Sequence, residues 1–107
     1  MSLPLPIETY FNADRHNDPD AVLQVFGTDA VVRDEGQTYR GCQAIEAWWR
    51  AAKAKYHHVA EPLDWSEEAG RHHVRARVTG DFPGSPAVLT FAFRLEREWI
   101  TQLEIGA

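Results

Sequence analysis

The hydrophobic period of this chain changes once, and that change limits the folds open to it. Before residue 57 apolar side chains recur mainly at helical spacing; after it they alternate. A 3.6-residue period buries one stripe of a helix, whereas a period of two buries one face of a sheet. Ile7, Tyr10 and Phe11 predict a first helix over residues 3–14, broken by Asn17-Asp18-Pro19. Asp18 suits an N-cap and Pro19 the first position of a second, short helix. Val22, Leu23 and Phe26 are its expected buried face, with Gly27 as its end. Residues 30–34 predict a strand, Glu35-Gly36 a turn and residues 37–40 the returning strand. Gly41 opens a third helix over residues 42–55, where Ile45, Trp48, Trp49, Ala52 and Tyr56 form a single stripe. Four strands follow, at 57–66, 71–80, 87–95 and 99–105. The expected class is α+β, with three N-terminal helices packed on the apolar face of a curved antiparallel sheet.

Register follows from keeping one face apolar. Pairing Trp65 with His72 sets Leu63 opposite Val74, Glu61 opposite Ala76 and Val59 opposite Val78. Pairing Leu95 with Trp99 sets Phe93 opposite Thr101, Phe91 opposite Leu103 and Leu89 opposite Ile105. The central pair then sets Val78 opposite Leu89. Arg71, Arg75, Arg77 and Arg94 share the second face with Val88, Ala92 and Ile100.

The chain has 107 residues, which fits one domain, residues 1–107. Its formal net charge of −5 excludes nucleic acid or an anionic membrane as the expected main partner, since either needs a basic footprint. No apolar run approaches the roughly 18 residues of a membrane span. MSLPLPIETYF has no basic region ahead of a long apolar core, so no secretory signal is expected. The lone Cys42 has no internal partner, and a cytoplasmic location is expected.

The element order, FGTDAVVRDEG (residues 26–36) and YRGCQAIEAWW (residues 39–49) resemble the SnoaL-like and ketosteroid-isomerase branch of the cone-shaped nuclear transport factor 2-like superfamily. That resemblance covers nearly the whole chain and implies an internal pocket and a homodimer through the outer sheet face. Ketosteroid isomerase combines a general-base Asp with a Tyr and a protonated Asp that stabilise an oxyanion. Asp34 stands at the base position and Tyr10 at that of the Tyr, which makes these the catalytic candidates. The second acid has no counterpart: AVLTFAFRL (residues 87–95) lacks a carboxylate, and Leu89 stands in its place.

A base needs hydrogen-bond reach to a carbon-bound proton in a dry pocket; Asp34 beside Glu35-Gly36 is equally suited to turn chemistry. Tyr10 is either an oxyanion donor or a core aromatic. Trp48, Trp49, Trp65, Phe91 and Phe93 are candidates for pocket walls, although core packing accounts for such residues too. Glu61, placed on the apolar face by the register, is a second candidate acid or a rim residue. His72, beside Trp65, is a further pocket candidate. His57-His58 and His72-His73 fall at opposite ends of one hairpin, and neighbours on a strand point to opposite faces, so no metal or cofactor is expected.

Two functions stay open. One is proton transfer, an isomerisation or cyclisation, on a small apolar carbonyl compound with Asp34 as base. The other is a non-catalytic ligand-binding or protein-interaction domain that keeps the cone.

Overall fold

A computed structural model describes residues 1–107. Three helices, α1 (Leu5–Arg15), α2 (Pro19–Gln24) and α3 (Cys42–Tyr56), pack on a six-stranded sheet of β1 (Phe26–Asp34), β2 (Gln37–Arg40), β3 (Val59–Glu68), β4 (Arg71–Thr79), β5 (Ala87–Glu96) and β6 (Trp99–Gly106). The strand order is β2-β1-β6-β5-β4-β3. The α+β class is as expected, with two corrections. The β1–β2 hairpin precedes α3, so only two helices are N-terminal. The sheet is mixed, because β1 runs parallel to β6.

Local chemistry sets several boundaries. Asp18 caps α2 by accepting from the Ala21 N–H at 3.2 Å, and Pro19 occupies its first turn. α2 stops at Gln24, and Phe26 opens β1, not the helix face expected of it. Ile100 N–H donates to the Val25 carbonyl at 2.8 Å, tying this exit to β6. α3 ends at His57, which takes a left-handed conformation (φ 49°), with Lys53 and Lys55 in its last turn.

The register differs from expectation because β3 and β6 each contain an irregularity. β3 pairs with β4 as Ala60 with Val78 and Pro62 with Ala76, then as Asp64 with Arg75 and Trp65 with Val74. Leu63 is the residue left over, directly after Pro62. Proline has no N–H to give to the ladder, so a slip beside it is the cheapest place for one. Ala60 therefore faces the core, while Val59 and Leu63 are exposed. In β6 the shift falls between Ile100 and Gln102, which lets Ile100 and Leu103 both face inward. Ile100 thus belongs to the core instead of the outer face. The central pair is offset by two residues, Val78 opposite Ala87 and Val74 opposite Phe91, which preserves the faces. Val74, Val78, Phe91 and Phe93 are buried as expected.

The core lies between the helices and the inner sheet face, around Ile7, Phe11, Val32, Ile45, Phe93 and Leu103. α1 packs on β3 and β6, and α3 on β1 and β2. At the end of β4 the chain passes tightly against α3. A Cβ on Gly80 would lie 2.7 Å from the Tyr56 carbonyl oxygen, and the Asp81 N–H donates to that same oxygen at 2.6 Å. This contact brings Phe82 and Pro83 over the end of the helix.

Candidate functional site

A cavity of about 230 Å³ opens at that end of the molecule. α3 contributes Trp48, Ala52 and Tyr56, spaced four residues apart and so on one face. The sheet contributes Val78, Leu89, Phe91 and Ile105, and the loop after β4 adds Phe82 and Pro83. Two carboxylates, Asp34 and Glu35, and the imidazole of His58 interrupt this apolar wall. Tyr56 donates its hydroxyl hydrogen bond to Glu35 Oε1 at 3.1 Å and meets Phe82 edge-on at 6.0 Å, which joins the turn, the helix and the loop around the opening.

Asp34 ends β1, where Glu35 and Gly36 both take positive φ (52° and 75°) in a two-residue hairpin turn. Its place at the turn and its place on the cavity wall coexist. The Trp48 indole N–H donates to Asp34 Oδ2 at 3.0 Å. Burial pushes the Asp34 carboxyl above its ordinary value; the Trp48 hydrogen bond offsets part of this, and the neighbouring Glu35 charge adds to it.

A second carboxylate lies deeper. Asp14, 1% exposed, completes the stripe of α1 one turn beyond Tyr10. Its Oδ1 accepts from the Trp49 indole N–H at 2.9 Å and lies 3.4 Å from both Lys53 Nζ and His58 Nε2. Lys53 also donates to the His58 carbonyl. Burial raises the Asp14 carboxyl, but His58, Lys53 and Trp49 together hold it below its ordinary value, so it is a buried carboxylate compensated by partners. His58 belongs to two walls: it lines the cavity, and it lines an open groove beside Arg15, Arg50 and Lys53.

Of the residues expected at the site, Asp34, Trp48 and Phe91 line the cavity together. Tyr10 is packed behind Phe91, their ring centroids 6.5 Å apart, and is not among the lining residues. Burial raises the Tyr10 hydroxyl well above its ordinary value, and the Asp14 and Asp34 charges add to this. Phe93 is fully buried beside Tyr10, and Trp49 holds Asp14. Trp65 and His72 are not opposite one another: Trp65 pairs with Val74 and His72 with Glu67. Their rings still stack at 6.1 Å, with the indole N–H donating to His72 Nδ1 at 3.2 Å, outside the cavity lining. Glu61 is on the outer face, opposite Arg77 and 3.2 Å from its Nη1, because the slip in β3 reverses the parity assumed for it.

Sequence reasoning passed over Asp14 and the cavity role of His58. Asp14 carried a signal: Ile7, Tyr10, Phe11 and Asp14 follow i, i+3, i+4, i+7, which sets a carboxylate in an apolar stripe. His58 carried none, because its direction depends on the left-handed turn at His57.

The SnoaL-like domain family matches residues 7–100. The chain belongs to that family. A provisionally assigned polyketide cyclase from Sinorhizobium meliloti is similar at 47% identity, covering 96% of this chain and 94% of its own, with a TM-score of 0.93. A Catenulispora acidiphila protein with a ketosteroid isomerase-like fold, solved with trimethylamine, is 18% identical over 99% of this chain and 87% of its own, with a TM-score of 0.85. A computationally designed 17-OHP binder is 15% identical over 94% and 87%, with a TM-score of 0.80. These last two share the fold of this SnoaL-like domain. No curated protein sequence matches it.

Proposed function

We propose that this SnoaL-like domain binds a small apolar carbonyl compound in the cavity and catalyses proton transfer on it, an isomerisation or cyclisation, with Asp34 as base. The observation that carries this reading is the Asp34 carboxylate on a largely apolar wall that it shares with Glu35 and His58, held by an indole N–H and raised in basicity by burial. Asp34 takes a proton from the carbon beside the carbonyl. The C–H electron pair forms the enolate double bond as the carbonyl π pair moves to oxygen, and in a β,γ-unsaturated ketone Asp34 returns the proton to the γ-carbon. In a cyclisation the enolate carbon instead bonds to a second carbonyl carbon, whose π pair moves to its oxygen and takes up the proton from Asp34. The S. meliloti relative's assignment as a cyclase is consistent with such chemistry.

Size limits the substrate class. An apolar cavity of about 150 Å³ accepts benzene. One of about 230 Å³, open on one side, suits one or two fused rings. The test is deuterium uptake at the α-carbons of 2-tetralone, followed by proton NMR. The reading expects enzyme-dependent exchange that Asp34→Asn removes; binding without exchange would refute it.

One observation favours the non-catalytic alternative. Leu89 lines the cavity at the place that the family resemblance gives to a second acid, so β5 offers no charged group to a substrate oxygen. Binding of 2-tetralone with no exchange would select that reading.

The proposed assembly is a homodimer through the outer sheet face. There, exposed Val88 lies among the Arg75–Asp64 and Arg77–Glu61 ion pairs.

A further inference from the structure

We propose that His58, held from behind by Asp14, is a catalytic residue that donates a proton to the substrate oxygen while Asp34 removes the proton from carbon. This rests on the reading of the cavity as an enolising site and assigns its oxygen-side group. Four observations carry it. His58 and Asp34 line the same cavity, so one occupant touches both. Asp14 is fully buried, lies 3.4 Å from His58 Nε2, and is itself held by Trp49 and Lys53. An imidazole has two nitrogens, so a carboxylate at Nε2 leaves Nδ1 for an occupant and fixes the ring. β5 lines the cavity with Leu89 and Phe91 alone, so a substrate oxygen needs a donor from another element.

The step balances. The α-proton goes to the Asp34 carboxylate, and the C–H pair forms the carbon–carbon double bond. The carbonyl π pair moves to oxygen, and the imidazolium N–H proton follows it. In a β,γ-unsaturated ketone the product is a dienol, and reversal at its γ-carbon returns both protons, with no oxidant or reductant involved.

The experiment compares two probes of nearly equal shape, 4-nitrophenol and 4-nitrotoluene. The phenolate form of the first mimics an enolate oxygen; the second has no oxygen at that position. Affinities are measured for the wild type, His58→Gln and Asp34→Asn, with the His58 ring nitrogens followed by NMR. The expected result is a 4-nitrophenolate preference that falls roughly 10- to 100-fold in His58→Gln, the range of a hydrogen bond to a charged group. Affinity for 4-nitrotoluene stays unchanged, and the wild-type His58 ring signals move with 4-nitrophenol only. Asp34→Asn strengthens phenolate binding by removing a like charge and keeps the His58 shift. The wild-type NMR titration decides the matter if His58→Gln does not fold. A purely structural tie between α1 and β3 gives equal binding of both probes and no probe-specific shift, which overturns the inference. Failure of both probes to bind the wild type refutes the pocket reading itself, and the inference with it. Binding without a His58 preference refutes the inference alone.

Discussion

Trp48 and Trp49 are adjacent on α3, yet each holds a different carboxylate: Trp48 donates to Asp34 at 3.0 Å and Trp49 to Asp14 at 2.9 Å. Successive helical positions point about 100° apart, so one helix anchors an acid on the cavity wall and another in the core beneath it. The two acids then differ in charge chemistry. Asp34 is raised, with burial the largest influence, while at Asp14 burial is outweighed by the opposing effects of His58, Lys53 and the Trp49 hydrogen bond, which lower it.

Asp34→Asn keeps an oxygen that can accept from Trp48 and removes the base. Exchange into 2-tetralone is expected to fall about 10²- to 10⁴-fold, the usual contribution of a general base. Affinity should stay within about threefold, since little volume changes. Isothermal titration of 2-tetralone beside the NMR exchange assay checks both.

The wild-type exchange rate is expected to fall as pH drops through a midpoint above 3.8, because the ionised form is the base and its folded value is raised. The stability sign is the reverse. A raised folded value means that Asp34 favours folding at low pH and that this contribution is lost as pH rises through the folded value. Urea midpoints for Asp34→Asn should therefore depend less on pH between 3.8 and neutrality than those of the wild type.

Asp14→Ala strands Lys53 and the Trp49 N–H in a buried setting. A loss of about 3 kcal/mol at neutral pH is expected, as for a buried pair deprived of one partner. The Asp14 value is lowered on folding, so its contribution is present above 3.8 and lost as pH falls through the folded value. Urea unfolding at several pH values measures this, and the difference between wild type and variant should shrink in acid.

Glu61→Gln changes an exposed ion pair on the face away from the cavity. It should alter stability by less than about 0.5 kcal/mol and leave 2-tetralone affinity unchanged. A large loss of affinity would return Glu61 to the inner face.

Val88→Arg sets a second cation opposite Arg77 on the outer face. If this face joins two copies over more than roughly 1,000 Å², the variant sediments as a monomer at micromolar concentration where the wild type is a dimer. A wild-type monomer would refute the assembly.

Much of the architecture was legible in order of occurrence. The stripe Ile45, Trp48, Trp49 described α3, Asp18-Pro19 marked the start of α2, and alternation marked β4 and β5, because these signals depend only on neighbours along the chain. Asp34 at the end of β1 was legible as well. What only the tertiary structure decided depends on contacts between distant segments. Parallel pairing of β1 with β6 joins residues some seventy positions apart, which no local period encodes. The irregularities after Pro62 and around Thr101 shift which side chains face inward, and so turned Glu61 outward and Ile100 inward. The convergence of Asp14 from α1, Trp49 and Lys53 from α3 and His58 after the left-handed His57 is of the same kind. Side-chain periodicity records which face of its own element a residue occupies; the partner that face meets is set by how the elements pack.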